Sequence, residues 1–168
     1  MLIRLAGLTA DSIVDGPGMR LTVFTQGCVH ACPGCHNPSA HALDGGTLAE
    51  TDDILAQLAR NALQAGITLS GGEPFLQPEA CLALAEGVHA QGKTVWAFTG
   101  WTWEELLRED DPARMALLRA VDVLVDGPFL LAERTLELPF RGSRNQRLID
   151  VPRSLAASCV VPFALPVW

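Results

Sequence analysis

The sequence predicts an α/β protein whose sheet is mainly parallel, open and partly curled. From about residue 20, short β-branched runs alternate with helical patterns, the order that right-handed crossovers between parallel strands produce. The 168 residues supply too few such units for a closed eight-stranded barrel. Hydrophobic residues make up 49% of the chain, which is enough for one buried core. We therefore expect a single domain over residues 1–168.

The strand and helix patterns can be placed along the chain. Runs rich in β-branched and aromatic residues predict five strands, at residues 20–26, 67–70, 94–98, 121–125 and 146–151. Leucine and isoleucine at helical spacing predict a helix over 48–64, with Thr47 and Glu50 spaced as a capping box and Gly66 just past its end. Further helices are predicted over 78–91, after the Thr102/Glu105 capping box, and from Asp111-Pro112 through Leu118.

Glycine-rich turns follow four of the predicted strands. They are the cysteine loop after the first strand, then Gly71-Gly72-Glu73-Pro74, Thr99-Gly100-Trp101 and Asp126-Gly127-Pro128-Phe129. Because parallel strands end at the same edge of a sheet, we expect these four turns to form one site. The stretch 141–146 precedes its strand, so the same argument does not place it there.

Three cysteines with the spacing C-x3-C-x2-C, namely Cys28, Cys32 and Cys35, are the strongest chemical signal. Thiolate sulfur is a soft ligand that suits zinc, copper(I) or an iron–sulfur cluster. Structural zinc sites and most [4Fe–4S] clusters take four protein ligands. Three cysteines would leave one iron of a cubane open, which a catalytic metal requires. We interpret the open position as the place where a substrate binds.

A structural zinc site is the alternative reading of the same cysteines. His30, His36 or His41 could supply the fourth ligand and give a module without catalysis. The two remaining cysteines, Cys81 and Cys159, lie in apolar surroundings and are expected to be small buried residues.

Charge and hydropathy exclude some partners. The formal net charge is −7 and no basic stripe is visible, so we expect no nucleic-acid binding. No window approaches eighteen uncharged apolar residues, and the N-terminal stretch does not fit a secretory signal. Five cysteines, an odd number, suit a reducing compartment. We expect a cytoplasmic protein that is not bound to a membrane.

The cysteine spacing followed by Gly-Gly-Glu-Pro resembles the radical S-adenosylmethionine (SAM) enzymes, which implies an incomplete (β/α) barrel. The segment "SIVDGPGMRLTVFTQGCVHACPGCHNPSA" is similar to glycyl-radical-enzyme activases. The stretches "LSGGEP", "WAFTGW", "VDVLVDGPF" and "RGSRNQRLIDV" look most like the activating proteins of anaerobic ribonucleoside-triphosphate reductases. The resemblance covers most of residues 11–152.

The resemblance implies two cofactors, a [4Fe–4S] cluster and SAM. Cys28, Cys32 and Cys35 would ligate the cluster, and the open iron would bind the amino and carboxylate groups of SAM. One electron would split the sulfonium into methionine and a 5′-deoxyadenosyl radical, which removes a hydrogen atom from a glycine of the partner reductase. A flavodoxin or ferredoxin would supply that electron.

The resemblance also implies the SAM contacts, which are Gly34, Cys35, His36, Ser70, Gly71, Gly72, Glu73 and Thr99. Gly71, Gly72 and the Glu73 carboxylate would hold the amino group. Many relatives carry an aromatic residue at the position of Gly34, so Trp101 or Phe98 would have to stack on the adenine here. Asp15 and Asn145 are candidates for contact with the substrate glycine loop, although Asp15-Gly16-Pro17-Gly18 also fits an ordinary tight turn.

Two other radical SAM functions fit the same motifs. The chain could activate a different glycyl radical enzyme, of the pyruvate formate-lyase type, or it could act on a small molecule as the short deazaguanine-forming synthases do. A small-molecule enzyme should carry a dedicated polar pocket, and the sequence shows no surplus of charged residues to line one.

Overall fold

A seven-stranded mixed sheet forms the centre of the protein, whose computed structural model describes residues 1–165. The strands are β1 (Leu2–Ser12), β2 (Met19–Thr25), β3 (Thr47–Glu50), β4 (Gln64–Gly71), β5 (Thr94–Phe98), β6 (Val123–Asp126) and β7 (Arg147–Asp150). Their order across the sheet is β3-β1-β2-β4-β5-β6-β7.

The expectation of a mainly parallel sheet was wrong, although the α/β class is confirmed. Only β2, β4, β5 and β6 pair in parallel, and the other three pairs are antiparallel. Antiparallel neighbours need no crossover helix. Accordingly β1 returns through a short loop to β2, and β7 follows β6 after a segment that contains only one 3-10 turn.

Residues 1–165 contain five α-helices, namely α1 (Thr51–Arg60), α2 (Pro78–Ala90), α3 (Trp103–Glu109), α4 (Pro112–Arg119) and α5 (Val151–Ala157); the first four connect strands, and α5 follows β7. Side chains alternate between the two faces of each strand, so Val95 and Ala97 of β5 enter the main core with the helices. Trp96, which lies between Val95 and Ala97, points to the opposite face of the sheet and packs with Phe140 and Phe163. The helices therefore cover one face, and loops and the C-terminal segment cover the other.

The predicted helix over 48–64 is the element that differs most from expectation. Residues 47–50 pair with β1 as β3, so the helix begins at Thr51 and no side-chain capping bond forms at Glu50. Gly66 lies inside β4, where a Cβ atom would come within 1.8 Å of the Thr94 carbonyl oxygen. The starts of the later helices are confirmed, including the Thr102/Glu105 capping box and the Asp111 cap.

Two expectations concerned the cysteines outside the loop. Cys81 is buried in α2, as expected, but Cys159 is exposed. Ser158 takes a left-handed conformation with φ 53° at the end of α5, and the turn leaves Cys159 on the surface. Beyond it the backbone at Val161 and Phe163 hydrogen-bonds to β7, so this part of the tail covers the sheet edge. Residues 166–168 of the tail lie outside the described residues.

Within residues 1–165, none of the helices combines the length and the apolar character that crossing a bilayer requires.

Arg147 ties β7 to the end of β6 and to α3. Its guanidinium donates to both carboxylate oxygens of Asp126, which is 1% exposed, and to Glu104 at 2.7 and 3.1 Å. Asp126 also accepts a hydrogen bond from the Trp103 amide at 2.8 Å, which fixes the start of α3. Arg147 therefore supplies the counter-charge of a buried carboxylate whose neighbours form the edge of the sheet.

We expect Arg147→Met to lower the free energy of unfolding by about 3 to 5 kcal/mol, because the Asp126 carboxylate would stay buried without a partner. Glu104→Gln should cost less than about 1 kcal/mol, since the Arg147–Glu104 pair is largely exposed.

The hydrogen bond from Arg147 lowers the pKa of Glu104. The small contribution of this pair to stability is therefore present above the pKa of Glu104 in the unfolded chain and disappears as the pH falls through its pKa in the folded protein. Urea unfolding at pH 7 and at acidic pH measures both effects. Equal losses for the two variants would contradict this account.

Candidate functional site

A pocket of about 410 Å³ lies at the carboxyl ends of the parallel strands. The structure brings the four glycine-rich turns together there, as the strand directions indicated. The predicted residues that line it are Asp15, Cys28, Cys32, Cys35, His36, Ser70, Gly71, Gly72 and Thr99. Three others, Gly34, Glu73 and Asn145, are not among its lining residues.

The cysteine loop leaves β2, and backbone hydrogen bonds between its two ends close it at the base. The amide of Gly27 donates to the Ala40 carbonyl at 2.8 Å, and that of Cys28 donates to the His41 carbonyl at 3.1 Å. At the far end the Asn37 amide donates to the Cys35 sulfur at 3.3 Å. Burial raises the pKa of the Cys28 thiol, so binding of a soft cation is what would keep it as a thiolate in this environment.

The donor set fits a [4Fe–4S] cluster. All three thiols of the loop are free, half-buried and directed to one pocket. Within residues 1–165, no three His, Cys, Asp or Glu side chains lie close enough together to hold a single metal ion. A cubane does not need such convergence, because each cysteine binds a different iron.

The Gly71-Gly72 turn packs directly against the start of the cysteine loop. The Gly72 amide donates to the Thr25 carbonyl at 2.7 Å, and the Glu73 amide donates to the Gly27 carbonyl at 2.8 Å. A Cβ atom at position 72 would come within 2.2 Å of the Gly27 carbonyl oxygen. Glycine is therefore required for this close approach, which leaves the backbone of both residues facing the pocket.

Glu73 is fully buried, and its carboxylate joins three loops instead of facing the pocket. One oxygen accepts from the Phe75 amide at 3.0 Å. The other accepts from the Thr99 hydroxyl at 3.0 Å, the Gly100 amide at 2.8 Å and the His30 ring at 2.7 Å. The carboxylate is thus fully paired with protein groups, and its contact with SAM, like the backbone contacts from Gly71 and Gly72, stays a prediction.

Residues 127–146, here called the cover segment, form a wall of the pocket; the sequence predicted its first turn, through Phe129, but not the stretch that precedes β7. Phe129, Phe140, Arg141, Gly142 and Gln146 all line it. Because β7 is antiparallel to β6, with Arg147 opposite Asp126, residues that precede β7 lie at the same edge as those that follow β6. The assumption of a parallel last strand had placed them elsewhere.

Two amide side chains hold the cover segment in shape. Gln146 accepts from the Gly142 amide at 2.8 Å and donates to the Gly127 carbonyl at 3.1 Å, which links its two ends. Asn145 donates to the Pro128 carbonyl at 2.8 Å and accepts from the Ser143 hydroxyl at 2.6 Å. Both polar groups of Asn145 are thus paired within the cover segment, behind the wall of the pocket.

Aromatic side chains of the pocket also differ from expectation. Trp101 does not line it, whereas Phe98 does. Phe129 lies against the His36 ring at a centroid distance of 4.9 Å, beside the last cysteine. Gly34 has φ 74°, and a Cβ atom there would come within 2.9 Å of Leu131 in the cover segment. A larger residue at position 34 would therefore push aside the Leu131 side chain, and Phe129 provides an aromatic surface nearby.

Asp15 lies in a loop that folds over the open face of the sheet. Its carboxylate accepts from the Ser12 hydroxyl at 2.6 Å and the Thr22 hydroxyl at 2.8 Å, and its carbonyl accepts from Thr68 at 2.8 Å. Arg20 lies beneath the loop and is 1% exposed; this burial lowers the pKa of Arg20 to about 10. The loop is thus a turn held by polar contacts, and it also presents Asp15 to the pocket.

Comparison with known proteins gives the class of this site. A family model described as a 4Fe-4S single cluster domain matches residues 14–149. The crystal structure of QueE from Escherichia coli superposes with a TM-score of 0.51 at 17% identity, over 61% of this chain and 54% of that one. The fold and the cysteine loop therefore define a protein built around one [4Fe–4S] cluster.

Sequence relatives narrow the class further. The chain is 42% identical over 143 residues to the anaerobic ribonucleoside-triphosphate reductase-activating protein of Salmonella typhi, over 80% of this chain and 90% of the relative. The proteins of the same description from Escherichia coli K12 and Enterobacteria phage T4 are 40% and 34% identical, each over 80% of this chain and over 90% and 86% of their own length. The chain belongs to the family of anaerobic ribonucleoside-triphosphate reductase-activating proteins.

Proposed function

We propose that the protein is a radical SAM activating enzyme that cleaves SAM reductively at its [4Fe–4S] cluster and removes a hydrogen atom from a glycine of an anaerobic ribonucleoside-triphosphate reductase. The observation that carries this proposal is a single pocket lined by three free cysteines and by the Gly71-Gly72 backbone, in a member of this family. The names of the relatives favour the reductase over a pyruvate formate-lyase as the protein substrate.

Each wall of the pocket has a part in the proposed reaction. Cys28, Cys32 and Cys35 hold the cluster, which together with SAM supplies one-electron cleavage and a hydrogen-abstracting radical. The Gly71 and Gly72 backbone binds the ammonium group of SAM. Ser70 and Thr99 flank these glycines, and Gly34, Cys35 and His36 contact the adenine.

The cover segment and the loop over the sheet complete the pocket. Phe129 offers the stacking surface that a glycine at position 34 cannot provide. Asp15 accepts hydrogen bonds on its own loop and is available to position the backbone of the incoming glycine. Asn145 supports this arrangement indirectly, because it fixes the Pro128 carbonyl next to Phe129.

An open sheet suits a protein as substrate. The glycine Cα must come within about 3 to 4 Å of the attacking carbon, so the partner loop has to enter the pocket. In the described part of the chain, β3 and β7 end the sheet without pairing to each other, which is compatible with a single domain that forms an incomplete barrel of the radical SAM type. Exposed Ile13, Val14 and Leu131 stand near the pocket, where the partner would cover them and exclude water.

The electron must come from another protein. A flavodoxin or ferredoxin of low potential in the cytoplasm would serve, and free cysteines of the kind found here persist in that compartment.

Electron-spin spectroscopy tests the proposed function. We expect reconstituted, reduced protein to create a doublet glycyl-radical signal on the anaerobic reductase when SAM is present, and to release methionine in parallel. Omission of SAM or of the reductase is the control and should abolish the doublet. SAM cleavage without a doublet on any glycyl radical enzyme would instead favour an enzyme that acts on a small molecule.

A further inference from the structure

His30 lies in the cysteine loop between Cys28 and Cys32, and its ring reaches the buried carboxylate of Glu73. The Nε2 atom is 2.7 Å from the Glu73 carboxylate oxygen. The His30 side chain is 15% exposed and that of Glu73 is not exposed at all. A hydrogen bond to a charged partner in such a place is short, directional and costly to lose.

The ring also fits a slot at the end of β5. Gly100 forms its floor, because a Cβ atom at that position would come within 2.3 Å of the His30 ring. The Trp101 ring closes one side, edge to face, with a centroid distance of 4.5 Å. The Trp101 ring is in turn covered by the Arg114 guanidinium at 4.2 Å. Packing and hydrogen bonding together leave the imidazole one position.

Residues 29–34 of the cysteine loop depend on this contact. Among the hydrogen bonds of residues 1–165, the one between the His30 side chain and Glu73 ties residues 29–34 to the turn after β4. The bond from the Cys35 amide to the Cys32 carbonyl stays inside the cysteine loop. The bonds from Gly27 to Ala40 and from Cys28 to His41 close the base of the loop and do not reach residues 29–34. The position of Cys32 therefore follows from where His30 is held.

We propose that His30 is a positioning residue for the iron–sulfur cluster: its hydrogen bond to Glu73 sets where Cys32 presents its sulfur. The contact extends to the rest of the pocket, since the same Glu73 oxygen accepts from Thr99 and Gly100. The inference rests on the ligand set of the proposed function.

Two replacements separate the hydrogen bond from the shape of the ring. His30→Phe keeps a flat ring in the slot but cannot donate to Glu73, whereas His30→Gln places an amide N–H close to the position of Nε2. His89→Phe is the matched control, because His89 is paired with Asp122 on the surface, away from the pocket. Each variant is reconstituted anaerobically, and its iron content, its rate of iron loss to a chelator and the spin spectrum of its reduced cluster are measured.

We expect His30→Phe to lose iron about tenfold faster than the wild type, within the range that loss of an outer-shell hydrogen bond produces. The spin spectrum of its reduced cluster should differ in shape from that of the wild type. Addition of SAM should change this spectrum less than it changes the wild-type spectrum. His30→Gln should stay within about twofold of the wild type, as should His89→Phe. A thermal melt of each cluster-free variant shows whether the chain is still folded.

Three outcomes are decisive. Wild-type rates and spectra for His30→Phe would overturn the inference, and so would equal impairment of His30→Gln and His30→Phe. A wild-type protein that takes up no iron would instead overturn the proposed cluster ligands, so the two failures can be told apart.

Discussion

Cys32→Ala will abolish cluster binding and, with it, the cleavage of SAM. Cys32 lies between the other two cysteines of the loop, and its half-buried thiol lines the pocket. Changes behind a metal ligand already cost about 10- to 100-fold, so loss of a ligand should lower the SAM cleavage rate by at least about 100-fold. Iron and sulfide analysis after anaerobic reconstitution, followed by methionine release, measures both consequences.

The stability of the cluster-free chain should hardly change in this variant, by no more than about 0.5 kcal/mol, because the thiol is not part of the core. Cys159→Ala is the matched control: its thiol is exposed and outside the pocket, so full iron content and activity are expected. A Cys32→Ala protein that keeps a complete cubane and wild-type SAM cleavage would refute the assignment of the loop.

Gly71→Ala should damage both folding and SAM binding. Gly71 has φ 97°, and a Cβ atom there would come within 2.5 Å of the Thr25 amide nitrogen and 2.6 Å of the Phe24 backbone. Positive φ and forced contact with backbone atoms together should cost about 2 to 4 kcal/mol of unfolding free energy. A shift of the turn by about 1 Å would lower kcat/KM for SAM by about 100-fold.

Gly92→Ala separates the effect of the positive φ from the effect of the forced contact with backbone atoms. Gly92 also has a positive φ, 70°, but a Cβ atom there would meet nothing within 4 Å. We expect a loss of about 1 to 2 kcal/mol and unchanged kinetics, since only backbone strain is added. Urea unfolding and initial rates at varied SAM concentration compare the variants. Gly71→Ala with the stability of Gly92→Ala and normal kinetics would show that the turn does not bind SAM.

The parallel part of the fold could be read from the sequence because each element there carries its own local signal. Strand β5 and helix α2 are bounded by the residues that start and stop such elements. Strand β1 gives no such signal: Ile3 and Leu5 are buried, but register shifts follow and Leu8 is exposed. Pairing with β1 also overrides the capping pattern of Thr47 and Glu50, because tertiary contacts outweigh the local helix preference there.

The site was predictable where motifs follow the parallel strands and not where it depends on the direction of the last strand. The spacing of the cysteines and the Gly-Gly turn located the pocket. Phe140 and Arg141 were missed, because nothing local shows that β7 runs antiparallel to β6, whereas Phe129 lies in a turn that the sequence did place at the site. His30 was considered only as a possible zinc ligand, since its partner Glu73 lies 43 positions away.

The two ends of the cover segment lie side by side in the sheet. The segment leaves the sheet at Asp126 and returns at Arg147, and these two residues are direct neighbours across β6 and β7. A loop whose two ends are neighbours can be replaced by another loop without altering the strands that carry it. Substitution of these residues alone could therefore retune ligand preference, while the inorganic centre and its supports stay as they are.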